Sequence, residues 1–117
     1  MKIARVVKSG KETFGLVKNG KIATKDDITH STGIPIPLNV KDFLFDGWYE
    51  EILPKIDGIE FKHDLSEFEV LAPIPNPNKI ICLAFNYKDH AIEQKLAPPK
   101  EPAIVNKPRT ALNGTNT

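Results

Sequence analysis

Short apolar and β-branched runs alternate with turn residues over the first part of the chain. The runs KIARVVK and ETFGLVK are separated by Ser9-Gly10-Lys11, a spacing that predicts a β-hairpin. A second turn is predicted at Asn19-Gly20, because both residue types tolerate the positive φ angles of a type I′ turn. The pattern therefore predicts a meander of three antiparallel strands that ends near KIATK.

A helix is predicted after a connector that contains two prolines, because the apolar residues there recur at helical spacing. The prolines in residues 34–37 remove amide donors and fix φ, so this segment is expected to be extended. Asn39 is the predicted N-cap, with Asp42 three residues later, and the helix is predicted to stop at Pro54. One face of the helix is predicted to comprise Val40, Phe43, Leu44, Gly47, Trp48 and Ile52. Gly47 lies inside this run and can divide it into two short helices.

A change of pattern near residue 72 predicts a domain boundary. Residues 57–66 are polar apart from a candidate short strand at IEFKH, and three prolines within five residues then exclude helix and central strand. We interpret residues 72–78 as the boundary. The predicted architecture is α+β, with a small antiparallel-sheet domain carrying one or two short helices over residues 1–71 and the beginning of a second domain over residues 72–117.

The second domain opens on a strongly apolar segment. Residues 80–85 form a near-continuous apolar run, typical of a strand that is buried on both faces. A short helix is predicted over residues 87–95, a proline-rich loop over residues 97–102 and another strand over residues 103–106. A strand buried on both faces needs partners on each side, and few residues follow this one. The rest of the core is therefore expected from another chain or from the remainder of a longer protein.

Charge and composition exclude several classes of partner. The 117 residues carry a formal net charge of +1, so no excess of positive charge favours nucleic acid or anionic lipid. No segment approaches the roughly 20 apolar residues that span a bilayer, and no targeting segment is apparent. The single cysteine, Cys82, lies in an apolar run and is interpreted as a buried thiol, which fits a reducing, cytoplasmic location. A small-molecule partner is the remaining expectation.

The predicted helix over residues 87–95 carries the main candidate site. His90 and Glu93 are three residues apart and therefore share one side of a helix. A carboxylate beside an imidazole orients the ring and stabilises the imidazolium that forms when it takes a proton, a combination that can activate water. The alternative is a surface pair that stabilises the helix by roughly 0.2–0.5 kcal/mol. Spacing alone does not decide between the two.

Four other ionisable residues are interpreted as structural or exposed. His30 and His63 are predicted to be exposed, and neither has a Cys or His at metal-binding spacing. Glu67 and Glu69, in the string EFEV, are interpreted as the outward face of a strand rather than as metal ligands.

The strings PNKIICLAFNYKDHAIEQ and EPAIVNKPRTAL together resemble the fumarylacetoacetate hydrolase family. The resemblance is carried by Asn86-Tyr87, His90 and Glu93, followed by Lys107-Pro108. Residues 1–70 look like the small N-terminal domain that many bacterial and archaeal members carry. The resemblance implies that the second domain is the start of a mainly β catalytic domain, with a buried strand, a lid helix and a second strand.

The family implies a hydrolase or isomerase that acts on a 2-keto or acylpyruvate-type acid with a divalent cation, Mg²⁺ or alternatively Mn²⁺ or Ca²⁺. By position, His90 would be the general base, Glu93 its partner and Lys107 a substrate-binding residue. The family's Glu-x-Glu and later Asp ligands are expected downstream of Thr117, so no metal ligand is assigned within this chain. A homodimer of the full-length protein is also implied.

Two functions remain open on the sequence. In the first, the chain is the N-terminal part of a metal-dependent enzyme and is inactive by itself. In the second, it is a non-catalytic binding or assembly module, or an inactive truncated fragment. One departure bears on the first function: where the family commonly has a glycine before the Asn-Tyr pair, this chain has Ala84-Phe85, which implies a different backbone path or a narrower pocket.

Overall fold

A computed structural model of the chain describes residues 1–84, 86–93, 95 and 100–115. The chain forms two compact units, which are described separately. The first comprises residues 1–75 together with residues 113–115, and the second lies within residues 76–112. Among the described helices, none combines the length and the apolar character needed to cross a membrane.

A five-stranded antiparallel sheet forms the frame of the first unit. Its strands are β1 (Lys2–Lys8), β2 (Lys11–Lys18), β3 (Lys21–Thr24), β4 (His63–Asp64) and β5 (Glu69–Leu71). Their order across the sheet is β4-β3-β2-β1-β5. The predicted meander is confirmed as β1 to β3, and β4 and β5 extend it at its two edges. The candidate strand IEFKH is reduced to β4, which begins at the last residue of that string.

Two-residue turns join the first three strands. Ser9-Gly10 and Asn19-Gly20 connect residues that pair directly across the ladder. All of these turn residues have positive φ angles, between 50° and 77°, as type I′ turns require. The predicted turn at Asn19-Gly20 is confirmed, and the first hairpin uses the same backbone geometry.

Helix α1 (Lys25–Thr32) lies in a stretch that the apolar pattern does not identify as helical. Its N-cap is Thr24, whose hydroxyl oxygen accepts from the Asp27 amide at 3.4 Å while the Asp27 carboxylate accepts from the Thr24 amide at 2.9 Å. This capping box satisfies two amide donors that a helix start leaves unpaired. Because Ile28 alone is buried in α1, no apolar stripe marks the helix. His30 lies in this helix and is exposed as predicted.

The helix predicted after the proline connector is divided in two. Helices α2 (Val40–Phe45) and α3 (Trp48–Ile52) meet at Gly47, whose φ of 82° is left-handed and therefore suits glycine. Asn39 caps α2 as predicted, because its side chain accepts a hydrogen bond of 2.9 Å from the backbone amide three residues later. Beyond α3 the chain continues as a 3₁₀ turn over Leu53–Gly58, which holds the predicted proline stop in its first turn.

The core of the first unit lies mainly between the sheet and these helices. Strand alternation sends Phe14 and Leu16 of β2 toward the helices and Val17 toward the opposite face. Phe43 of α2 is fully buried, and its ring centroid lies 5.3 Å from that of Phe14 and 6.1 Å from that of Tyr49. These aromatic contacts join the second helix to the central strand of the sheet.

The predicted apolar face of α2 and α3 is only partly correct. Val40, Phe43 and Ile52 are buried, whereas Leu44 is exposed and Trp48 is half-buried against the core. The break at Gly47 separates the two helices, so one continuous stripe cannot run along both. Each short helix instead buries the side chains that point at the sheet.

Gly15 allows β2 and β3 to approach closely, and we predict that Gly15→Ala destabilises the first unit. A Cβ at this position would lie 2.1 Å from the carbonyl oxygen of Ala23 in the paired strand, so backbone would have to move. The expected loss is about 3 kcal/mol, at the upper end of the cost of overpacking. Urea unfolding followed by circular dichroism measures it.

Gly58→Ala is the matched control for Gly15→Ala, because an added Cβ there meets no atom within 4 Å. Its free energy of unfolding is expected to stay within about 0.5 kcal/mol of the parent. Equal stability of the two variants would contradict the close approach at Gly15.

In its described residues the second unit contains a two-stranded ribbon and a short helix. Strands β6 (Ile80–Ala84) and β7 (Ala103–Lys107) are antiparallel, and helix α4 (Lys88–Glu93) lies between them in sequence. A 3₁₀ turn over Arg109–Ala111 follows β7. Both predicted strands and the predicted helix are confirmed, with α4 shorter at each end. Residues 97–99 of the predicted proline-rich loop lie outside the described residues, and residues 100–102 belong to no helix or strand.

The described residues do not bury β6 on both faces, and the expectation that other polypeptide completes its core stays a prediction. Ile81 and Leu83 are exposed, and the Cys82 thiol is half-buried rather than buried. The physical reason is that β6 pairs with β7 alone among the described residues, and no second layer of structure packs on the Ile81 and Leu83 side.

Candidate active site

Helix α4 carries both residues of the predicted catalytic pair. A residue three positions further along an α-helix lies about 4.5 Å along the axis and within about 60° of the first residue around it. His90 and Glu93 therefore occupy positions on the same side of α4. The Glu93 side chain is exposed, whereas of His90 the structure describes the backbone and not the side chain. Their function as a pair thus stays a prediction that the helix geometry permits.

The strand register decides where Lys107 lies. β6 ends at Ala84, which pairs with Ala103, and the chain then leads through Asn86 and Tyr87 into α4. Lys107 pairs with Ile80 at the other end of the ribbon. Ile80 and Ala84 are four positions apart along β6, so the two ends of the ribbon are about 13 Å apart. The fold therefore places His90 and Glu93 on one helix and puts the backbone of Lys107 at the ribbon end remote from Ala84.

A second pair of a histidine and a carboxylate lies in the first unit. Its histidine is His63, which the sequence analysis interprets as an exposed residue without a catalytic role. His63 Nε2 lies 3.3 Å from Asp27 Oδ2, and this oxygen also accepts from the Thr24 amide at 2.9 Å and the Thr24 hydroxyl at 2.6 Å. The His63 ring meets the ring of Phe68 edge-on, with centroids 6.0 Å apart. Its side chain is 39% exposed, so the predicted exposure is only partial. The pair ties β4 to the capping box of α1.

A cavity of about 290 Å³ adjoins His63, with Lys8, Lys11, Asp26 and Phe68 among its lining residues. Its charges are largely paired within the protein, because Lys8 binds Glu67 at 2.5 Å and Asp26 binds Lys25 at 2.6 Å. Hydrogen bonds from these lysines lower the pKa of Glu67 and of Asp26. The cavity therefore offers a ligand little unbalanced charge, and we do not assign it as the active site.

The glutamates of the EFEV string lie outside any metal cluster in the described residues. Glu69 lies in β5 and is exposed, as predicted, whereas Glu67 belongs to a 3₁₀ turn before the strand and binds Lys8. The interpretation as one outward strand face is thus correct for Glu69 alone. Across the described part of the chain, no three residues of the types His, Cys, Asp and Glu come together in a way that could hold a cation.

Arg5 and Glu12 form an ion pair on the surface of the sheet, between β1 and β2. Arg5 Nε lies 2.5 Å from Glu12 Oε1, and the hydrogen bond from Arg5 lowers the pKa of Glu12. A second hydrogen bond of 2.5 Å runs from Arg5 to the carbonyl oxygen of Ala72, just beyond β5. Arg5 therefore ties together β1, β2 and the end of β5, and it has no part in the candidate site.

Comparison with known proteins identifies relatives that are named as oxaloacetate tautomerases or for the fumarylacetoacetate hydrolase domain. The chain is 51% identical to mitochondrial oxaloacetate tautomerase fahd2 of Xenopus laevis over 49 residues, which are 42% of this chain and 15% of that protein. It is 37% identical to the fumarylacetoacetate hydrolase domain-containing protein 2 homolog of Dictyostelium discoideum over 86 residues, which are 69% of this chain and 28% of that protein. No protein-family model matches the chain.

A solved structure shares the fold over nearly the whole chain. The crystal structure of a candidate HpcE protein from Mycobacterium smegmatis superposes with a TM-score of 0.64 and 17% sequence identity, covering 94% of this chain and 37% of that one. This chain thus spans less than a third of the length of the two relatives and about a third of the solved structure. Because a relative named for the fumarylacetoacetate hydrolase domain aligns with 69% of this chain at 37% identity, the chain belongs to the fumarylacetoacetate hydrolase family.

Proposed function

We propose that the chain is the N-terminal part of a fumarylacetoacetate hydrolase-type enzyme that acts on a 2-keto or acylpyruvate-type acid, and that it contributes His90 and Glu93. The supporting observation is that α4 holds these two residues on one side of a helix. The names of the relatives add support, since the Xenopus protein is named an oxaloacetate tautomerase and the Dictyostelium protein is named for the hydrolase domain.

Tautomerisation of a 2-keto acid requires a base beside the carbon next to the keto group. In the proposed step the imidazole of His90 takes a proton from that carbon, and the electron pair of the broken C–H bond moves to form the enolate. The proton then returns to the enolate oxygen, which gives the enol. Glu93 would hold the ring in position and stabilise the imidazolium that exists between the two transfers.

Cleavage of a C–C bond in an acylpyruvate would use the same pair differently. Here His90 takes a proton from water, and the resulting hydroxide attacks the acyl carbonyl. The bond to the pyruvate fragment then breaks, and that fragment leaves as an enolate that takes up a proton. Both reactions need one base of suitable strength held beside a carboxylate, so the residues of α4 are compatible with either.

The divalent cation of the family, Mg²⁺ or alternatively Mn²⁺ or Ca²⁺, does not fit the residues described here. The described part of the chain brings no ligand cluster together for it. In our proposal its ligands lie outside this segment, and no step above is assigned to it.

Lys107 is proposed to bind the negative oxygens of the keto acid. The support for this proposal is the resemblance of Lys107-Pro108 to the family pattern, because the strand register by itself puts the Lys107 backbone at the ribbon end remote from Ala84. A lysine exposed at the end of a strand, serving only solubility, is the alternative. Lys107→Gln distinguishes them, because loss of a substrate contact raises KM.

The location and assembly of the complete protein remain proposals. Several relatives are named mitochondrial, whereas composition predicts a cytoplasmic protein.

A homodimer is proposed from the family resemblance, and sedimentation of the full-length protein tests it. The substrate partner is proposed to be a small keto acid, with no role for nucleic acid or membrane.

Activity of the purified full-length protein tests the proposed function. With Mg²⁺ present, we expect it to catalyse interconversion of enol and keto oxaloacetate or hydrolysis of an acylpyruvate, each followed by ultraviolet absorbance of the enol. The 117-residue chain by itself is expected to catalyse neither reaction. Absence of both activities from a folded, metal-loaded full-length protein would contradict the proposal and favour the non-catalytic module.

A further inference from the structure

The sequence contains two Asn-Gly pairs, Asn19-Gly20 and Asn113-Gly114. An asparagine followed by glycine cyclises readily, because glycine has no Cβ to shield its amide nitrogen from the asparagine side chain. In this reaction the nitrogen attacks Cγ of the asparagine and closes a ring. Asn19 and Asn113 are both exposed to solvent. The two pairs differ in how the structure holds their backbone.

The pair Asn19-Gly20 is fixed by the hairpin between β2 and β3. Both residues have positive φ angles, 53° and 77°, and Lys18 pairs with Lys21 directly across the turn. The Gly20 carbonyl oxygen also accepts from the Leu65 amide at 2.9 Å. Ring closure requires rotation about the bond between Cα and the carbonyl carbon of the asparagine, which the turn geometry opposes. This pair must therefore open locally before it reacts.

The pair Asn113-Gly114 brings the reacting groups together. The Gly114 amide donates to Asn113 Oδ1 at 3.1 Å, and Oδ1 is bonded to the Cγ that the nitrogen attacks. Asn113 lies in no helix or strand, so rotation about its backbone bonds breaks no strand ladder. The nitrogen and the side chain are adjacent before reaction, an arrangement that accelerates ring closure.

The residues that follow Asn113 lie against strand β5. The Thr115 amide donates to the carbonyl oxygen of Val70 at 3.2 Å. Gly114 lies so close to β5 that a Cβ on it would be 2.6 Å from the same oxygen. The atom that such a Cβ would meet belongs to the main chain, which cannot move aside as a flexible side chain can. Segment 113–115 therefore has no room for a longer backbone where it contacts β5.

We propose that Asn113-Gly114 is a site of spontaneous deamidation, and that its isoaspartate product releases segment 113–115 from β5. The Gly114 nitrogen bonds to Asn113 Cγ, the bond from Cγ to Nδ2 breaks, and Nδ2 leaves as ammonia with the proton of the Gly114 amide. Water then opens the ring at one of its two carbonyl groups, with no change of oxidation state. Opening at the backbone carbonyl gives isoaspartate, whose main chain runs through Cγ and is longer by one carbon. This inference does not rest on the proposed catalytic function.

Ageing of the 117-residue chain at mildly alkaline pH tests the proposal. Peptide mapping by mass spectrometry measures the gain of about 1 Da at each asparagine, and fragment ions identify the isoaspartate. We expect position 113 to react at least about tenfold faster than position 19 in the folded chain, and the two positions to react at similar rates in urea. Hydrogen exchange of the Thr115 amide, followed by NMR, is expected to become faster as isoaspartate accumulates.

Two variants separate the longer backbone from other effects of ageing. Asn113→Gln would have to close a larger ring, so its Thr115 amide should stay protected after the same treatment. Asn113→Asp adds the negative charge without the extra carbon and should also keep this protection. A rate at position 19 that equals or exceeds the rate at position 113 in the folded chain would overturn the proposal. Unchanged protection of Thr115 in isoaspartate-containing chain would overturn it too, and so would loss of protection in Asn113→Asp, which would assign the release to charge.

Discussion

Replacement of His90 with alanine in the full-length protein is expected to lower kcat by about 10²- to 10⁴-fold, the usual contribution of a general base. That loss corresponds to about 3–5 kcal/mol of transition-state stabilisation. An imidazole is the side chain whose ordinary pKa lies closest to neutral pH, so it can be neutral before a proton transfer and charged after it. Alanine removes this proton acceptor while keeping a residue that favours helix. Steady-state measurement of kcat and KM on oxaloacetate and on an acylpyruvate gives the result.

Two further variants separate a base from a residue that only supports the helix. Asp89→Asn changes an exposed charge of the same helix next to His90 and is expected to alter kcat by no more than about twofold. Glu93→Gln removes the proposed partner and is expected to lower kcat less than His90→Ala does, with KM nearly constant. Full activity of a folded His90→Ala protein would remove His90 from the mechanism, and equal losses in all three variants would indicate damage to the helix instead.

Replacement of Phe43 with alanine is expected to lower the free energy of unfolding by about 3–5 kcal/mol. The ring is fully buried between Phe14 and Tyr49, and its removal leaves a cavity where α2 packs on the sheet. Small domains are stable by only about 5–15 kcal/mol, so this loss is a large share of the total. Urea unfolding of the 117-residue chain, followed by tryptophan fluorescence of Trp48 and by circular dichroism, measures the change.

Phe45→Ala is the matched control, because it deletes the same side chain from the same helix. Phe45 is 76% exposed and belongs to neither apolar cluster of the first unit. Its replacement is expected to change the free energy of unfolding by less than about 0.5 kcal/mol. A similar loss in both variants would mean that α2 does not present Phe43 to the core as described.

Features of this chain that depend on residues close together in sequence could be predicted, whereas features that depend on distant residues could not. Asn19-Gly20 and Asn39 were identifiable because a turn and an N-cap are decided by residues within a few positions of one another. Helix α1 was not identifiable from its apolar pattern, since its start depends on a capping box and only Ile28 is buried. The capping box of Thr24 and Asp27 was the local signal that could have found it.

The same distinction applies to the candidate site, where some features could be predicted from the sequence and others could not. The pattern that links Asn86, His90 and Glu93 is short-range, so both the sequence motif and the helix that carries it could be predicted. The pairing of His63 with Asp27 joins residues far apart in sequence and has no signature along the chain. The placement of Lys107 opposite Ile80 likewise depends on the strand register, which a motif does not specify.

The sequence by itself determined the turns, the caps, the type of most elements and the motif that relates the chain to its family, because local backbone preferences and side-chain spacing act within a few residues. Only the tertiary structure decided which apolar residues are buried: Phe43 but not Leu44 or Phe45, and neither Ile81 nor Leu83 of the apolar strand. Burial depends on contacts between segments that are distant in the chain, and an apolar side chain remains exposed wherever the described structure brings no second layer against it.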